Sequence, residues 1–411
     1  MNTLIVLECE RYIQPFMRAM LTVAQKHYDN VIIITNPLSK GNTIEGDNLK
    51  HIEVSNAIRR KSILFSPIWL MSSDVITQSI KVVSGKRFKK NYIRDLKLYS
   101  CYGMAFYWAA QPYVKKYLKE GDVHVLSCWF AMDAWAVGRL KKYYPKIKAY
   151  SLAHSFEIDP LKNDFVDLTF NEWKHKYLDK IFFISEKMRE IYNKETKYRY
   201  IQKYKEQMAV SYLGCIKLFD EMNPYMQKEK LRIVSCSYVR PEKRIDLIMS
   251  VISKWTKCPI EWIHFGNGPL LDEMKERSML IMKENPKVSI DFRGYLSNDD
   301  VQKLYTNEHF DFFINLSSSE GIPVSIMEAI AYGIPVVATD VGGVSEIIDD
   351  KHGLLITSDA TEETIRRDLE SFVAEYQSDA EKMRNAANGF WKTKFNAISN
   401  YNNFFKSLNL Q

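Results

Sequence analysis

Even the apolar stretch "SILFSPIWLMSS" at 62–73 falls short of the roughly 18 to 20 apolar residues that a membrane-spanning helix needs, so no spanning helix is expected. The start, "MNTLIVLECERY", lacks a basic leader segment and its apolar run ends at Glu8, which argues for a first buried strand over a signal peptide. No CxxC pair and no histidine cluster accompanies the six cysteines, Cys9, Cys101, Cys128, Cys215, Cys236 and Cys258. That scatter speaks against a metal or dithiol site and for reduced thiols acting as small core hydrophobes in a cytoplasmic protein. Low-complexity tracts are missing, and neither half carries a nucleic-acid-binding module, so RNA is not an expected partner.

What is present fits a soluble enzyme of ordinary composition, 46% hydrophobic and 26% charged over 411 residues. That length exceeds one typical core, and two domains are expected. Charge is split unevenly between the halves. Residues 1–220 hold 35 Lys and Arg against 22 Asp and Glu, a surplus of 13 positive charges, whereas residues 221–411 hold 22 against 28, a surplus of 6 negative ones. A basic half joined to an acidic one suits a first half that approaches an anionic membrane or acceptor, although a solvated basic face would give the same count.

From residue 231 onward, short β-branched runs alternate with helical patterns, the signature of a parallel sheet with crossover helices. Strands are expected at 231–237, 260–266, 288–294, 310–317, 335–340 and 353–356, and their continuous apolar character implies burial on both faces. In the first half strands are expected at 3–8, 30–35, 124–130, 148–154 and 180–185, with a helical, aromatic and basic middle over 56–122. The polar stretch 217–230 marks the boundary. The fold class is α/β: two Rossmann-like, doubly wound domains, 1–222 and 223–388, facing across a cleft, with ligands at the carboxyl ends of their strands. A terminal helix over 389–411, with Trp391, Phe395, Tyr401, Phe404 and Phe405 at helical spacing, is expected to return to the first domain.

The segment "EGIPVSIMEAIAYGIPVVATD" (320–340) poses a physical question. Its helix starts near Pro323, as proline favours, and surrounds Glu328 with Ile326, Met327, Ala329, Ile330 and Ala331. An ionised carboxylate there costs several kcal/mol unless donors meet it, so something polar must sit nearby. An internal salt bridge or an exposed polar stripe would suffice. A ligand with two adjacent hydroxyls, such as a ribose, is the alternative, and the free amides of Val324 and Ser325 at the helix start would suit its phosphates.

Glu320 and Glu328 form an E-x7-E pattern followed by "AYGIPVVATDVGG", and this resembles the nucleotide-sugar site of the glycogen-synthase-like retaining glycosyltransferases (glycosyltransferase family 4, GT-B fold). The resemblance extends through "RPEKRID" (240–246), "FGNGPL" (265–270) and "RGYLSNDDV" (293–301), and more weakly through "AHSFEID" (153–159), "IFFISEKMR" (181–189) and "YLGC" (212–215). It implies that Glu328 holds the ribose hydroxyls and Glu320 the donor-sugar hydroxyls. Gly321 and Ile322 would line that sugar, Val324 and Ser325 the diphosphate, and Tyr295 and Leu296 the base, with Gly266 in the adjoining turn. Lys243 would neutralise the leaving diphosphate, and His154 would approach the reacting carbon; together with Glu320 these are the expected catalytic residues. Taken singly, Lys243 and Arg244 also fit an ordinary charged turn, His154 a structural histidine, and "GNG" a common turn.

Two departures stand out. Relatives usually carry arginine where this chain has Tyr238, so Arg240 or Arg244 is the candidate replacement, and "ECERYIQPF" (8–16) stands where many have a glycine pair. The resemblance implies transfer from a nucleotide-diphosphate sugar, as co-substrate with no other cofactor, to a glycan or lipid-linked acceptor in polysaccharide synthesis such as lipopolysaccharide or capsule. Metal independence is expected because basic groups and amides carry the phosphate charge, and the chain has no Asp-x-Asp pair. The cluster Lys86, Arg87, Phe88, Lys89, Lys90, Tyr92 and Arg94 suggests peripheral contact with the inner face of an anionic membrane, or simply a solvated helix. A nucleotide-sugar epimerase or hydrolase, and a non-catalytic nucleotide-sugar-binding protein, are the rival functions.

Overall fold

The computed structural model describes residues 1–10, 13–38, 45–84, 96–158, 170–194, 199–226 and 229–409. They form two compact units, Met1–Tyr212 with Tyr401–Gln411, and Leu213–Asn400. Residues 86–94, the basic cluster read from the sequence, lie outside the described residues.

The first unit is built on seven parallel strands: β1 (Asn2–Glu8), β2 (Asn30–Thr35), β3 (Leu49–Glu53), β4 (Asp122–Ser127), β5 (Lys148–Ala153), β6 (Lys180–Phe183) and β7 (Met208–Val210). Their order is β3-β2-β1-β4-β5-β6-β7, so the winding reverses between β1 and β4, where Leu4 pairs with His124 and Leu7 with Ser127. The strand cores Leu4, Ile5, Val6, Leu7 and Val31, Ile32, Ile33, Ile34 are fully buried, as both faces are covered by helices. Two strands went unread in the sequence. β3, "LKHIE", is a half-exposed edge with no apolar run, and β7 is only three residues long.

The expected helical middle is present as Asn56–Leu64, Ser66–Leu70, Ser73–Ser84 and the continuous pair Leu98–Gly103 and Met104–Tyr117. The expected terminal helix is interrupted. Trp391–Phe395 is a wide helical turn in the second unit; Asn396 is extended, and Ala397–Asn409 resumes as helix. The break is held by two backbone bonds, Cys215 N to Phe395 O (3.1 Å) and Ala397 N to Cys215 O (3.2 Å). Beyond it, Phe404 packs on Phe182 and Phe405 on Tyr28, and Asn402 Oδ1 lies 2.8 Å from His27 Nε2, so this helix completes the core of the first unit.

The second unit carries six parallel strands: β8 (Leu231–Cys236), β9 (Ile260–Phe265), β10 (Val288–Gly294), β11 (Phe312–Asn315), β12 (Val336–Thr339) and β13 (Gly353–Ile356). Their order, β10-β9-β8-β11-β12-β13, is doubly wound and reverses between β8 and β11, paired at Ile233 with Phe312 and Val234 with Phe313. Both sheets thus place a topological switch point at strand carboxyl ends, where open α/β sheets bind ligands.

Candidate functional site

The loops leaving β8 and β11 meet at the switch point of the second sheet. Pro241–Lys243 forms a short turn, after which Arg244 takes a left-handed backbone (φ 46°) and opens the helix Ile245–Ser253. A bulky residue rarely adopts that conformation unless its surroundings enforce it. Here the Arg244 guanidinium donates to the carbonyls of Leu316 (2.5 Å) and Ser317 (3.3 Å), and Ser318 N donates to Glu242 O (2.8 Å), locking the β8 loop onto the β11 loop. Arg244 is therefore committed to backbone. Arg240 is half exposed; its Nε bonds Glu242 within the same turn (2.7 Å) and its guanidinium lies over the exposed Tyr238 ring.

That locking brings Lys243 Nζ to 2.7 Å from Glu320 Oε1, across 77 residues of sequence. Glu320 is buried and also accepts from Asn315 Nδ2 (3.2 Å). Gly342, at φ +59°, packs against it: a Cβ there would lie 2.1 Å from the Glu320 carbonyl oxygen, so only glycine fits. Gly343 N donates to Gly321 O (2.6 Å), fixing Gly321, with buried Ile322 next to it.

The helix Val324–Ala331 follows, with Pro323 before its first residue and no side-chain cap. The amides of Val324 and Ser325 have no partner among the described residues, leaving the positive end of the helix open. Glu328, one turn on, is buried, and burial pushes its carboxyl up to about 7 against the pull of Asn298, whose Nδ2 donates to Oε1 at 2.5 Å. Asn298 is oriented in turn by Gln302 Nε2 (2.9 Å), and Gln302 Oε1 accepts from Tyr332 OH (2.7 Å) and Leu218 N (3.0 Å). The polar partner that the sequence demanded is thus a neutral amide. It meets one carboxylate oxygen, and the other has no hydrogen bond among the described residues.

The turns after β9 and β10 flank this region. Gly266 (φ +149°) passes so close to β8 that a Cβ would fall 1.9 Å from Ser237 O, and its amide donates to Gly294 O (2.7 Å). Tyr295, whose N–H bonds Asn267 Oδ1 (3.1 Å), presents an exposed ring, and Leu296 is half-buried. The structure therefore gathers Lys243, Arg240, Arg244 and Gly266, Tyr295, Leu296, together with Glu320 through Glu328, on loops at the carboxyl ends of β8, β9, β10 and β11.

In the first unit, His154 follows β5. It is buried and neutral: burial lowers its imidazole to about 4, with Nε2 donating to Cys128 O at 3.0 Å and the ring packed 4.4 Å from Trp129. Sequence reasoning missed what surrounds it. Glu157 receives the N–H groups of Phe130 (3.0 Å) and His154 (2.9 Å); Asp133 receives that of Trp129 (3.0 Å); and Glu8 receives the Trp129 indole (2.8 Å) and Glu10 N (2.7 Å). Lys174 Nζ donates to Phe130 O (2.7 Å). Burial raises Glu8 to about 7 and Glu157 to about 8, raises Asp133, and lowers Lys174 to about 7. At the first switch point Glu8 and Asp133 thus fix the half-exposed Trp129, and Glu157 fixes the backbone of Phe130 and His154. The available signals were Glu8 directly ending a buried strand and Glu157 three residues after His154.

Two doubly wound sheets with such sites define the GT-B class of two Rossmann-like domains, and solved structures agree. The lipopolysaccharide outer core galactosyltransferase WaaB is 13% identical and superposes with TM-score 0.66 over 99% of both chains; Anabaena HepE in complex with UDP is 12% identical, TM-score 0.65, over 100% of both. Residues 221–390 are similar to the family "Glycosyl transferases group 1". Among curated proteins, the O-antigen biosynthesis glycosyltransferase WbnH of Escherichia coli is 30% identical over 166 residues, 40% of this chain and 43% of that protein. The chain thus aligns with under half the length of that relative. Among the described residues no helix is long and apolar enough to cross a membrane.

Proposed function

We propose that the protein is a retaining glycosyltransferase that moves a sugar from a nucleoside diphosphate to a hydroxyl of a glycan or lipid-linked acceptor, in synthesis of a bacterial surface polysaccharide. The observation that carries this reading is the Lys243–Glu320 pair at the β8/β11 switch point, beside a helix whose first amides are unpaired and whose buried acid is half-satisfied. The roles of WbnH and WaaB, and the UDP bound to HepE, support it by similarity.

In this reading Glu328 accepts both ribose hydroxyls on the oxygen that Asn298 leaves open. Val324 and Ser325 amides, Lys243 and Arg240 meet the diphosphate, whereas Arg244 serves the loop. Arg240 is preferred because, among the described residues, its guanidinium pairs with an acid only inside its own exposed turn. Glu320 orients the sugar hydroxyls, Gly321 and Ile322 flank them, and Tyr295 and Leu296 flank the base. The bond from anomeric carbon to diphosphate oxygen breaks with its electron pair going to the phosphate. The acceptor oxygen bonds that carbon on the same face, and its proton passes to a diphosphate oxygen. Lys243 stabilises the charge developing on the leaving group, and with the amides supplies the role a metal would otherwise fill. His154 is assigned to the same reaction from the first unit.

The test is incubation with labelled nucleoside diphosphate sugars, with and without lipid-linked oligosaccharide acceptors, followed by NMR of the product anomer. Transfer with retained configuration, dependent on acceptor, is expected. Rapid epimer formation or stoichiometric donor hydrolysis without acceptor would assign an epimerase or hydrolase. Donor binding with no turnover on any acceptor would make it a binding protein.

A further inference from the structure

The helices Asn56–Leu64, Ser66–Leu70 and Ser73–Ser84 are two-sided in an unusual way. Their inner side is already satisfied. Ser62 Oγ donates to Cys101 O, Trp69 and Phe65 pack edge-on against Trp108 (5.9 and 6.1 Å), Arg139 lies over Trp69 (4.6 Å), and Val75 is buried. Yet the outer side is aliphatic too. Leu64 is 74% and Met71 70% exposed, and Ile63, Ile68, Leu70, Ile76 and Ile80 are exposed beside them. Single exposed apolar residues need no explanation, but seven within residues 63–80 form a concentration that a purely solvated surface would not keep.

Charge decides what covers this face. Residues 54–84 contain one acid, Asp74, against Arg59, Arg60, Lys61 and Lys81; Arg60 and Lys61 are exposed in the first helix, the Lys61 ammonium resting over the edge of the inner side at the Trp108 ring (4.8 Å). A second copy of the chain would bring these cations together, in a half already carrying a surplus of 13 positive charges. Anionic lipid headgroups would neutralise them, and the aliphatic side chains would enter the headgroup and acyl boundary, as interfacial helices do.

We infer that residues 56–84 are a membrane-docking surface, inserting Ile63, Leu64, Ile68, Met71, Ile76 and Ile80 into the interface of an anionic bilayer, with Arg60 and Lys61 held at the headgroups. The inference does not depend on the transferase reading, since it concerns a surface remote in sequence from every donor-site residue.

The test is flotation of the full chain with vesicles of phosphatidylcholine alone and of phosphatidylcholine with about one third phosphatidylglycerol. Binding is expected only to the anionic vesicles. Replacing Leu64, Ile68, Met71 and Ile76 together by Ser, and separately making R60E with K61E, should each weaken binding by ~30-fold or more without altering donor-induced thermal shifts. Hydrogen exchange on the unmodified chain gives a measurement that no folding defect can confound: peptides within 56–84 should gain protection when anionic vesicles are added. No vesicle binding by the unmodified chain would overturn the inference. So would vesicle binding that ignores the four serines, or concentration-dependent dimers that those serines abolish.

Discussion

Replacing Glu328 by Gln should move stability and donor binding in opposite directions. Burial raises this carboxyl from 4.5 to about 7, so keeping it ionised in the free protein costs about 3 kcal/mol at 1.36 kcal/mol per unit. The sign follows from linkage: the folded-state value lies above the unfolded one, so the cost is absent below the unfolded value, grows as pH rises from about 4.5, and is complete above about 7. Gln keeps the oxygen that accepts from Asn298 and removes the charge. Glu328→Gln should therefore stabilise the second unit by up to about 3 kcal/mol at pH 8 and by under about 1 kcal/mol at pH 5. In the proposed site the same change removes a charged acceptor from two ribose hydroxyls, each bond worth roughly 1.5–3 kcal/mol, so affinity for a nucleoside diphosphate should fall by ~100-fold or more. Urea melts at the two pH values and calorimetric titration with UDP and other nucleoside diphosphates provide the readouts. A variant that is less stable at pH 8 and binds nucleotide unchanged would refute the reasoning, and would make Glu328 a structural link in the chain through Asn298, Gln302 and Tyr332.

Lys243→Ala should lower kcat by ~100-fold or more, as expected when one donor to a developing anion is lost, while costing about 1–3 kcal/mol in folding; a kcat within threefold of the parent in steady-state assays would reduce the Lys243–Glu320 pair to a structural one. Gly342→Ala should displace the Glu320 backbone, because its methyl would arrive 2.1 Å from that carbonyl oxygen, and the variant should fold but lose most transfer activity. Normal activity in a Gly342→Ala protein of normal melting temperature would contradict the close packing. Trp129→Ala removes the ring whose indole donates to Glu8 and which packs against His154. It should raise KM for acceptor more than KM for donor, and equal effects on both would argue for a purely structural ring.

Much of the second unit was legible because its strands are continuous apolar runs, and burial on both faces leaves no other composition for them. The need for a polar partner at Glu328 was legible too, since its neighbours on the helix are apolar. Which partner was not: Asn298 comes from another helix 30 residues earlier, and only the folded register places it there. Arg244 and Lys243 are adjacent and chemically alike in sequence, yet one is turned by a left-handed backbone onto carbonyls and the other faces Glu320. Nothing local distinguishes them. In the first unit Glu8, Asp133 and Glu157 were passed over because acids are so seldom fully buried, and their hydrogen bonds run to backbone groups that no sequence pattern advertises. β3 was hidden by the polar character of an edge, and the break at Asn396 by the unbroken aromatic spacing on either side of it.

The residues that close the first unit leave the ribosome only after the whole of the second unit has done so. Phe404 and Phe405 fill a core whose other walls, Tyr28 and Phe182, emerge some two hundred residues or more earlier, while every residue of Leu213–Asn400 is synthesised before them. The half translated second is thus able to finish folding first, and the half translated first waits with an open apolar seam. A premature stop after residue 400 would spare the whole of Leu213–Asn400 and leave the amino-terminal unit permanently unsealed, a prey for proteases.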